Sequence, residues 1–460
     1  MEHRTFSAST WGKVRDISQE GEGIVALKSA DPELDGRVVF IPGLIPGDIL
    51  EVDEITLKAK RARVDRYHLL EPSPDRQEAF CAHFPECGGC QLQEMHYEAS
   101  LRWKSKRVAD SLTRIAHLDD LEGILEPCLG LQEPYGFRSI VQLRNDQEGR
   151  LGFFRRGSKQ VLAQDYCPIQ SEAFNAIRDF LNSLLCRLDS SELVKLDQIE
   201  MRQDAAGSNF LLHFTFEQAI LIDDWQEPLN ALIEFMTETY GPESLSLWLE
   251  DPDYLYHPYG EKKLICQENG LELRYSINSF QQTNIKQNAL LYRTICQFAE
   301  QALQHNLEAV KILELYSGVG SISLHLAKAL PQTQVLGVEI NRQAVVDSMD
   351  NSALNWLPED RVRFKHQDAA RYFHQLIEKE QAQDYKLLVV DPPRQGLRKE
   401  LCQDIVRSGI TSLLYVSCDP ASLARDIAEL KNAYRLERVQ PIDMFPWMTH
   451  VETVVLMSRT

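Results

Sequence analysis

The chain has 460 residues, enough for about three domains with sizeable cores. Its 43% apolar and 25% charged shares are those of a globular protein, and no apolar run approaches the ~18 residues of a membrane span. The first ten residues hold no apolar leader, so the expected compartment is the cytoplasm; ten cysteines there read as ligands, nucleophiles or core residues, not disulfides. The formal charge of −19 opposes a polyanionic partner over the surface as a whole, because phosphate contacts need Lys and Arg. Three local stretches run against it: Lys58, Lys60, Arg61, Arg63 and Arg66; Arg102, Lys104, Lys106 and Arg107; and Arg138, Arg144, Arg150, Arg155, Arg156 and Lys159. One such stretch is usually a solvated face. Three in the N-terminal third of an acidic chain point to a segregated nucleic-acid surface.

Residues 1–70 read as a first domain of short strands near 12–14, 23–26, 37–41 and 49–52, punctuated by Gly21, Pro42-Gly43 and Pro46-Gly47. That spacing suits a five-stranded OB-type barrel, a common oligonucleotide binder, and equally other small barrels. Glu71-Pro72-Ser73-Pro74 reads as a linker. Residues 71–275 follow as a mixed, largely β region. It opens on Cys81-x5-Cys87-Gly88-Gly89-Cys90, three thiols in ten residues, with Cys167 before Pro168 as a candidate fourth. Four thiolates suit tetrahedral zinc or an iron–sulfur cluster, and spacing leaves the two about equal. Alternating segments at 140–144, 151–154 and 209–216 predict a largely antiparallel sheet.

From 276 to 460 the pattern changes. Apolar strands at 310–316, 334–339, 362–367, 386–391 and 412–418 alternate with helical periodicity at 321–330 and 342–354. This predicts a doubly wound parallel sheet. Segments 434–442 and 451–458 flank Met444-Phe445-Pro446-Trp447, which predicts a terminal antiparallel hairpin. Seven strands ending this way fit the class I S-adenosylmethionine methyltransferase version of the fold. A dinucleotide-binding sheet would carry Gly-x-Gly-x-x-Gly, which is missing.

The strand ends carry the candidate site. The first runs into Tyr316-Ser317-Gly318-Val319-Gly320-Ser321, whose glycines let the backbone approach a ligand. Glu339 ends the second, where a carboxylate can accept ribose hydroxyls, and Asp368 closes the third, where a side chain can meet adenine. Asp391-Pro392-Pro393-Arg394 ends the fourth, placing Asp391 between cofactor and target; amino-methylating enzymes carry a similar motif. The fifth ends in Ser417-Cys418-Asp419-Pro420. A lone strand cysteine is usually inert core, and Cys128, Cys186, Cys266, Cys296 and Cys402 are read that way. Cys418, at the ligand-facing end of a strand with a full cofactor set upstream, reads as a nucleophile. Carbon 5 of uracil is a poor nucleophile until a thiolate adds at carbon 6; carbon 5 can then accept a methyl group. Carbon 5 must afterwards lose its proton to a general base, and Glu452 is the candidate.

Ser417-Cys418-Asp419-Pro420, Asp391-Pro392-Pro393-Arg394 and His450-Val451-Glu452-Thr453-Val454 together resemble the bacterial RNA uracil-5-methyltransferase family, which more often has Asn at the place of Asp419. Phe280-Gln281-Gln282-Thr283-Asn284 resembles that family's Phe-x-Gln-x-Asn motif, implying that Gln282 binds S-adenosylmethionine. Tyr316, Gly318 and Ser321 match its glycine loop, of which Tyr316 and Ser321 stand at cofactor-contacting positions. Gly21-Glu22-Gly23-Ile24-Val25, Val39-Phe40-Ile41-Pro42-Gly43 and Pro46-Gly47-Asp48 look like the TRAM domain of RNA-modifying enzymes. Family members with that domain hold a [4Fe-4S] cluster on Cys-x5-Cys-Gly-Gly-Cys and a distant Cys-Pro. The resemblance thus implies a cluster on Cys81, Cys87, Cys90 and Cys167, in a structural or RNA-positioning role.

That architecture resembles the 23S ribosomal-RNA enzymes, with transfer RNA as the second substrate, and neither a membrane nor an obligate protein partner is implied. The target uridine is expected to flip out of its stack. Two other classes compete. An amino-group methyltransferase would need neither Cys418 nor Glu452, and a non-enzymatic RNA-binding module would tolerate changes at Glu339 and Asp391.

Overall fold

The computed structural model describes residues 2–4, 10–58, 61–146, 148–303 and 310–460. At the N-terminus, six antiparallel strands form one sheet: Glu2–Arg4, Thr10–Ile17, Glu22–Ser29, Val38–Pro42, Ile49–Lys58 and Arg61–Glu71. Inside–outside alternation along Thr10–Ile17 sends Val14 inward with Val25, Leu27, Val39, Ile41 and Leu50. The sheet curls, bringing Val38–Pro42 against Arg61–Glu71 although the two do not pair. Arg61–Glu71 is a strand the sequence reading did not place, and it carries much of the first basic stretch. Lys60 lies outside the described residues, as do the side chains of Lys58 and Arg61. Arg63 faces Asp65 at 3.3 Å and Arg66 faces Glu54 at 2.9 Å. The expected linker is pinned as well, since buried Asp48 accepts the backbone N–H groups of Ser73 (2.9 Å) and Ile45 (2.8 Å).

The helix Tyr97–Arg114 corrects the reading of the second basic stretch. Its cations are committed to intramolecular contacts. Arg102 meets Asp75 at 2.7 Å, and Lys106 meets Asp16 at 2.5 Å and Asp110 at 2.6 Å. Arg107 donates to the Thr449 carbonyl at 2.5 Å. Lys104 is fully buried against Asp443, 2.5 Å away. The helix therefore joins the N-terminal sheet to the C-terminal domain. Apart from Asp110, its acidic partners lie outside the helix, at Asp16, Asp75 and Asp443, which is why the stretch looked unopposed.

A seven-stranded central sheet follows, antiparallel except where Phe210–Phe216 pairs with Leu245–Glu250. The helices Glu172–Leu185 and Ile222–Tyr240 share its core. The hairpin Leu264–Glu268/Leu271–Tyr275 then packs its buried side chains into the C-terminal core.

The C-terminal sheet has seven strands: β1 (Val310–Leu315), β2 (Thr333–Glu339), β3 (Val362–His366), β4 (Tyr385–Val390), β5 (Ser412–Ser417), β6 (Tyr434–Ile442) and β7 (Glu452–Arg459). They lie in the order β3-β2-β1-β4-β5-β7-β6. The first five run parallel; β7 enters antiparallel to β5 and to β6. This is the class I S-adenosylmethionine methyltransferase fold, as the alternation of strands and helices predicted. Near-continuous apolar runs such as Leu387–Val390 and Leu413–Val416 are buried, because helices cover both sheet faces. No helix among the described residues is long and apolar enough to cross a membrane.

One glycine sets how closely the ligand loop approaches the sheet. A Cβ at Gly337 in β2 would stand 2.7 Å from Phe364 and 2.9 Å from the Cβ of Ser317. Gly337→Ala is expected to cost about 1–3 kcal/mol through overpacking. Thermal unfolding should show a melting point several degrees lower.

Candidate active site

The carboxyl ends of β1, β4 and β5 meet at one edge of the sheet, and the amino end of β7 joins them. Ser417 pairs with Thr453 across β5 and β7, so Cys418 and Glu452 face each other one step beyond the ladder. Asp391 follows the last residue of β4 and its N–H points to the Leu315 carbonyl at the end of β1. Cys418 is half-buried, and Glu452 is 3% exposed.

Burial dominates the electrostatics of this edge. It pushes the Cys418 thiol up to about 12, with Glu452 and Asp391 adding to the rise and Arg394 opposing it. Burial also raises Asp391 to about 7. Glu452 is pushed well above the usual carboxylate range by burial and by Asp391, against Arg394. Two carboxyls and a thiol thus share one edge of the pocket, and one guanidinium opposes the rise at Cys418 and Glu452. Beside them His450 is driven down to about 4 by burial and by Arg394, Arg107 and Lys104. A neutral imidazole nitrogen therefore faces the Arg394 guanidinium across 3.4 Å. Asp419 caps the helix Pro420–Leu430, accepting from the Ser422 N–H at 2.8 Å. An N-cap accepts Asn or Asp alike, so the departure at 419 leaves the helix start intact.

Next to this edge lies a cavity lined by Gln282, Tyr316, Gly318, Ser321 and Asp391, five of the seven residues predicted to hold a cofactor. At Gly318, with φ +53°, an added Cβ would meet nothing within 4 Å, so the loop leaves open space above it. The Ser317 hydroxyl and the Gln281 side-chain oxygen are buried here without partners. Each is an acceptor that a bound water or ligand could satisfy. Glu339 and Asp368 stand outside that lining. Glu339 accepts from the N–H groups of Gly318 (2.9 Å) and Asn341 (2.7 Å), bracing the glycine loop. Asp368 caps the helix Ala369–Glu378 through the Arg371 N–H at 2.8 Å. Tyr275, Tyr292 and Glu314 also line the cavity. Glu314 was visible two residues before Tyr316, but the two tyrosines come from separate elements that no motif joins.

Cys81, Cys87, Cys90 and Cys167 line a single enclosed pocket with Phe84, Gln93, Arg138 and Gln164. Burial raises Cys87, Cys90 and Cys167, with Cys90 reaching about 12, and the neighbouring thiols add to each rise. Gln164 donates to the Cys87 sulfur at 3.1 Å and leaves its own oxygen unpartnered. Among the described residues no three donors lie close enough to hold one metal ion. Of the remaining cysteines, Cys128, Cys266 and Cys402 are buried as expected. Cys186, expected in a core, is exposed beyond its helix end. A separate cleft gathers Arg138, Arg155, Arg156 and Lys159 from the third basic stretch; Glu20 and Glu22 also line it, Arg155 pairs with Glu86, and Arg156 donates to the Glu20 carbonyl.

The sequence profile of the family described as tRNA (Uracil-5-)-methyltransferase matches residues 97–460. The chain belongs to that family. It is similar to an RNA methyltransferase of Halalkalibacterium halodurans, 30% identical over 470 residues that cover 97% of this chain and 96% of that one. An RNA methyltransferase of Bacillus cereus is 30% identical, with 96% and 95% covered. In three dimensions the chain resembles the Pyrococcus abyssi tRNA (uracil-54, C5)-methyltransferase complexed with S-adenosyl-L-homocysteine. The TM-score is 0.71 and the identity 22%, over 97% of this chain and 100% of that one. The enzyme is an RNA methyltransferase.

A thiol held up to about 12 is protonated at neutral pH. Its thiolate fraction, and so its alkylation by iodoacetamide, should climb roughly tenfold per pH unit from 8 to 11. Arg394→Ala removes the one opposing charge and should slow alkylation, whereas Asp419→Asn should speed it. Peptide mass mapping of Cys418 reads both signs.

Proposed function

We propose that the enzyme methylates carbon 5 of a uridine in RNA, with S-adenosylmethionine as methyl donor. The observation that carries this reading is the facing pair Cys418 and Glu452 at the β5–β7 edge, beside the cavity that Asp391 shares. The cofactor reading is supported by the buried, unpartnered Ser317 hydroxyl and Gln281 oxygen beside an open glycine loop. Gln282, Tyr316, Gly318 and Ser321 would hold S-adenosylmethionine, with Asp391 between it and the base. Glu339 and Asp368, at the ends of their strands, would meet ribose and adenine. The cofactor supplies an electrophilic methyl group on a sulfonium.

Asp391, a carboxylate at the same edge, accepts the Cys418 proton as the thiolate forms. The thiolate adds to carbon 6 and leaves carbon 5 electron-rich, and carbon 5 takes the methyl group. Glu452 then removes the carbon-5 proton; the carbon 5–carbon 6 double bond re-forms as the carbon 6–sulfur bond breaks. The thiolate returns to Cys418 as leaving group. A buried site makes these charges count, since little water screens them.

RNA would lie along the basic cleft of Arg138, Arg155, Arg156 and Lys159. The target base would be extruded from its stack to reach Cys418. The N-terminal curled sheet would be an OB-type TRAM domain over residues 1–70, residues 71–275 a central RNA-binding domain, and residues 276–460 the catalytic domain. The four pocket thiols would carry a [4Fe-4S] cluster. The support for that reading is that all four thiols line one pocket. The TRAM-plus-cluster arrangement resembles 23S ribosomal-RNA enzymes, so 23S rRNA is the proposed substrate. A transfer RNA is the second reading, supported by the family's description as tRNA (Uracil-5-)-methyltransferase.

Substituted RNA tests the reading. With 5-fluorouridine the proton to be removed is replaced by fluorine, so the adduct should persist on a denaturing gel with 23S or transfer RNA. Cys418→Ala should abolish the shifted band. The RNA that traps identifies the substrate class. Absence of an adduct from cofactor-binding enzyme with either RNA would contradict the proposal.

A further inference from the structure

The segment between β6 and β7 runs from Asp443 to Val451 and ends one residue before Glu452. It is buried: Asp443, Met444, Trp447 and Thr449 are at most 1% exposed. A buried loop must find partners for its backbone, because water cannot supply them. This loop draws its partners from several separate parts of the chain. Lys104 donates to Asp443 (2.5 Å) and to the Phe445 carbonyl (2.9 Å). The Tyr97 hydroxyl donates to the other Asp443 oxygen at 2.9 Å, and the Phe445 N–H donates to Asp443 at 3.1 Å. Asn284, from the segment lining the cofactor cavity, donates to the Met444 carbonyl at 3.1 Å.

The other anchor is Trp447. Its backbone has φ +64°, a left-handed conformation that a bulky residue keeps only when its surroundings hold it there. Its carbonyl accepts two N–H groups, from Gln91 and Leu92, each at 2.9 Å. Those residues directly follow Cys90, so the thiol pocket and the loop share a border. The Trp447 indole donates to the Pro134 carbonyl at 2.7 Å and packs against Phe80, Tyr97 and Tyr135. Nothing in this set touches the reacting atoms. All of it fixes the approach of the chain to Glu452.

We infer that Asp443, with Lys104 and Tyr97, and Trp447, seated on Gln91 and Leu92, are positioning residues for Glu452. They hold its carboxylate for the single step of carbon-5 proton removal, and the thiol pocket acts as the loop's seat. The inference rests on the reading of Glu452 as the base. It predicts a fault confined to one step: Cys418 would still add, methyl transfer would still occur, and release of the methylated RNA would lag.

Single-turnover kinetics on ordinary uridine RNA separate those steps. Glu452→Gln is the reference and should accumulate a methylated, denaturant-stable adduct through Cys418. Asp443→Asn and Trp447→Phe should accumulate the same adduct, with release slowed about ten- to a hundredfold. Methyl transfer and the KM for RNA should stay within about threefold of the unaltered enzyme, since those rest on other residues. Tyr97→Phe, which removes one hydroxyl only, covers the case in which Asp443→Asn does not fold. A parallel fall of methyl transfer and release, or normal release in Tyr97→Phe and Trp447→Phe, would overturn the inference. No adduct from Glu452→Gln would overturn the assignment of the base, and the inference with it.

Discussion

The antiparallel insertion of β7 between β5 and β6 is the constraint on which the site depends. In a parallel sheet all strands deliver their carboxyl ends to one edge, where ligands bind. A strand running the other way delivers its first residue to that same edge. Glu452, the first residue of β7, thereby comes opposite Cys418, which directly follows the last residue of β5. The pairing of Ser417 with Thr453 fixes this juxtaposition in the backbone. A one-residue slip would turn each side chain to the opposite face and separate the two.

What the edge gains from that geometry is a concentration of ionisable groups that cannot all be charged. Cys418, Asp391 and Glu452 are each driven toward their neutral forms, chiefly by burial. Arg394 opposes this for Cys418 and Glu452, while a neutral His450 stands beside the guanidinium. The unliganded edge thus favours the protonated thiol. Carboxyls poised above their ordinary range fit proton traffic near neutral pH, the operating condition of general acid–base chemistry.

Much of this was legible because it is local. Strand ends, the glycine loop and the Ser-Cys-Asp-Pro turn are contiguous in sequence, and the alternation of strands with helices predicted a doubly wound parallel sheet. Gln282, Tyr316, Gly318, Ser321 and Asp391 line one cavity. Cys81, Cys87, Cys90 and Cys167 converge on another. What escaped is non-local. The Lys104–Asp443 pair joins residues 339 apart, so Lys104 read as part of an open basic face when it is fully buried. Glu339 and Asp368 have the positions expected of them, yet their carboxylates also serve the backbone, one bracing the glycine loop and one capping a helix. A strand end offers the same residue to both tasks, and sequence does not separate them.

The central claim is that the facing thiol and carboxylate run substitution at carbon 5. Release of tritium from RNA carrying [5-³H]uridine measures that bond directly. The account predicts tritium release in step with methyl incorporation, one for one, and neither in Cys418→Ser. Methyl incorporation without tritium release would place the methyl group on another atom and contradict the account.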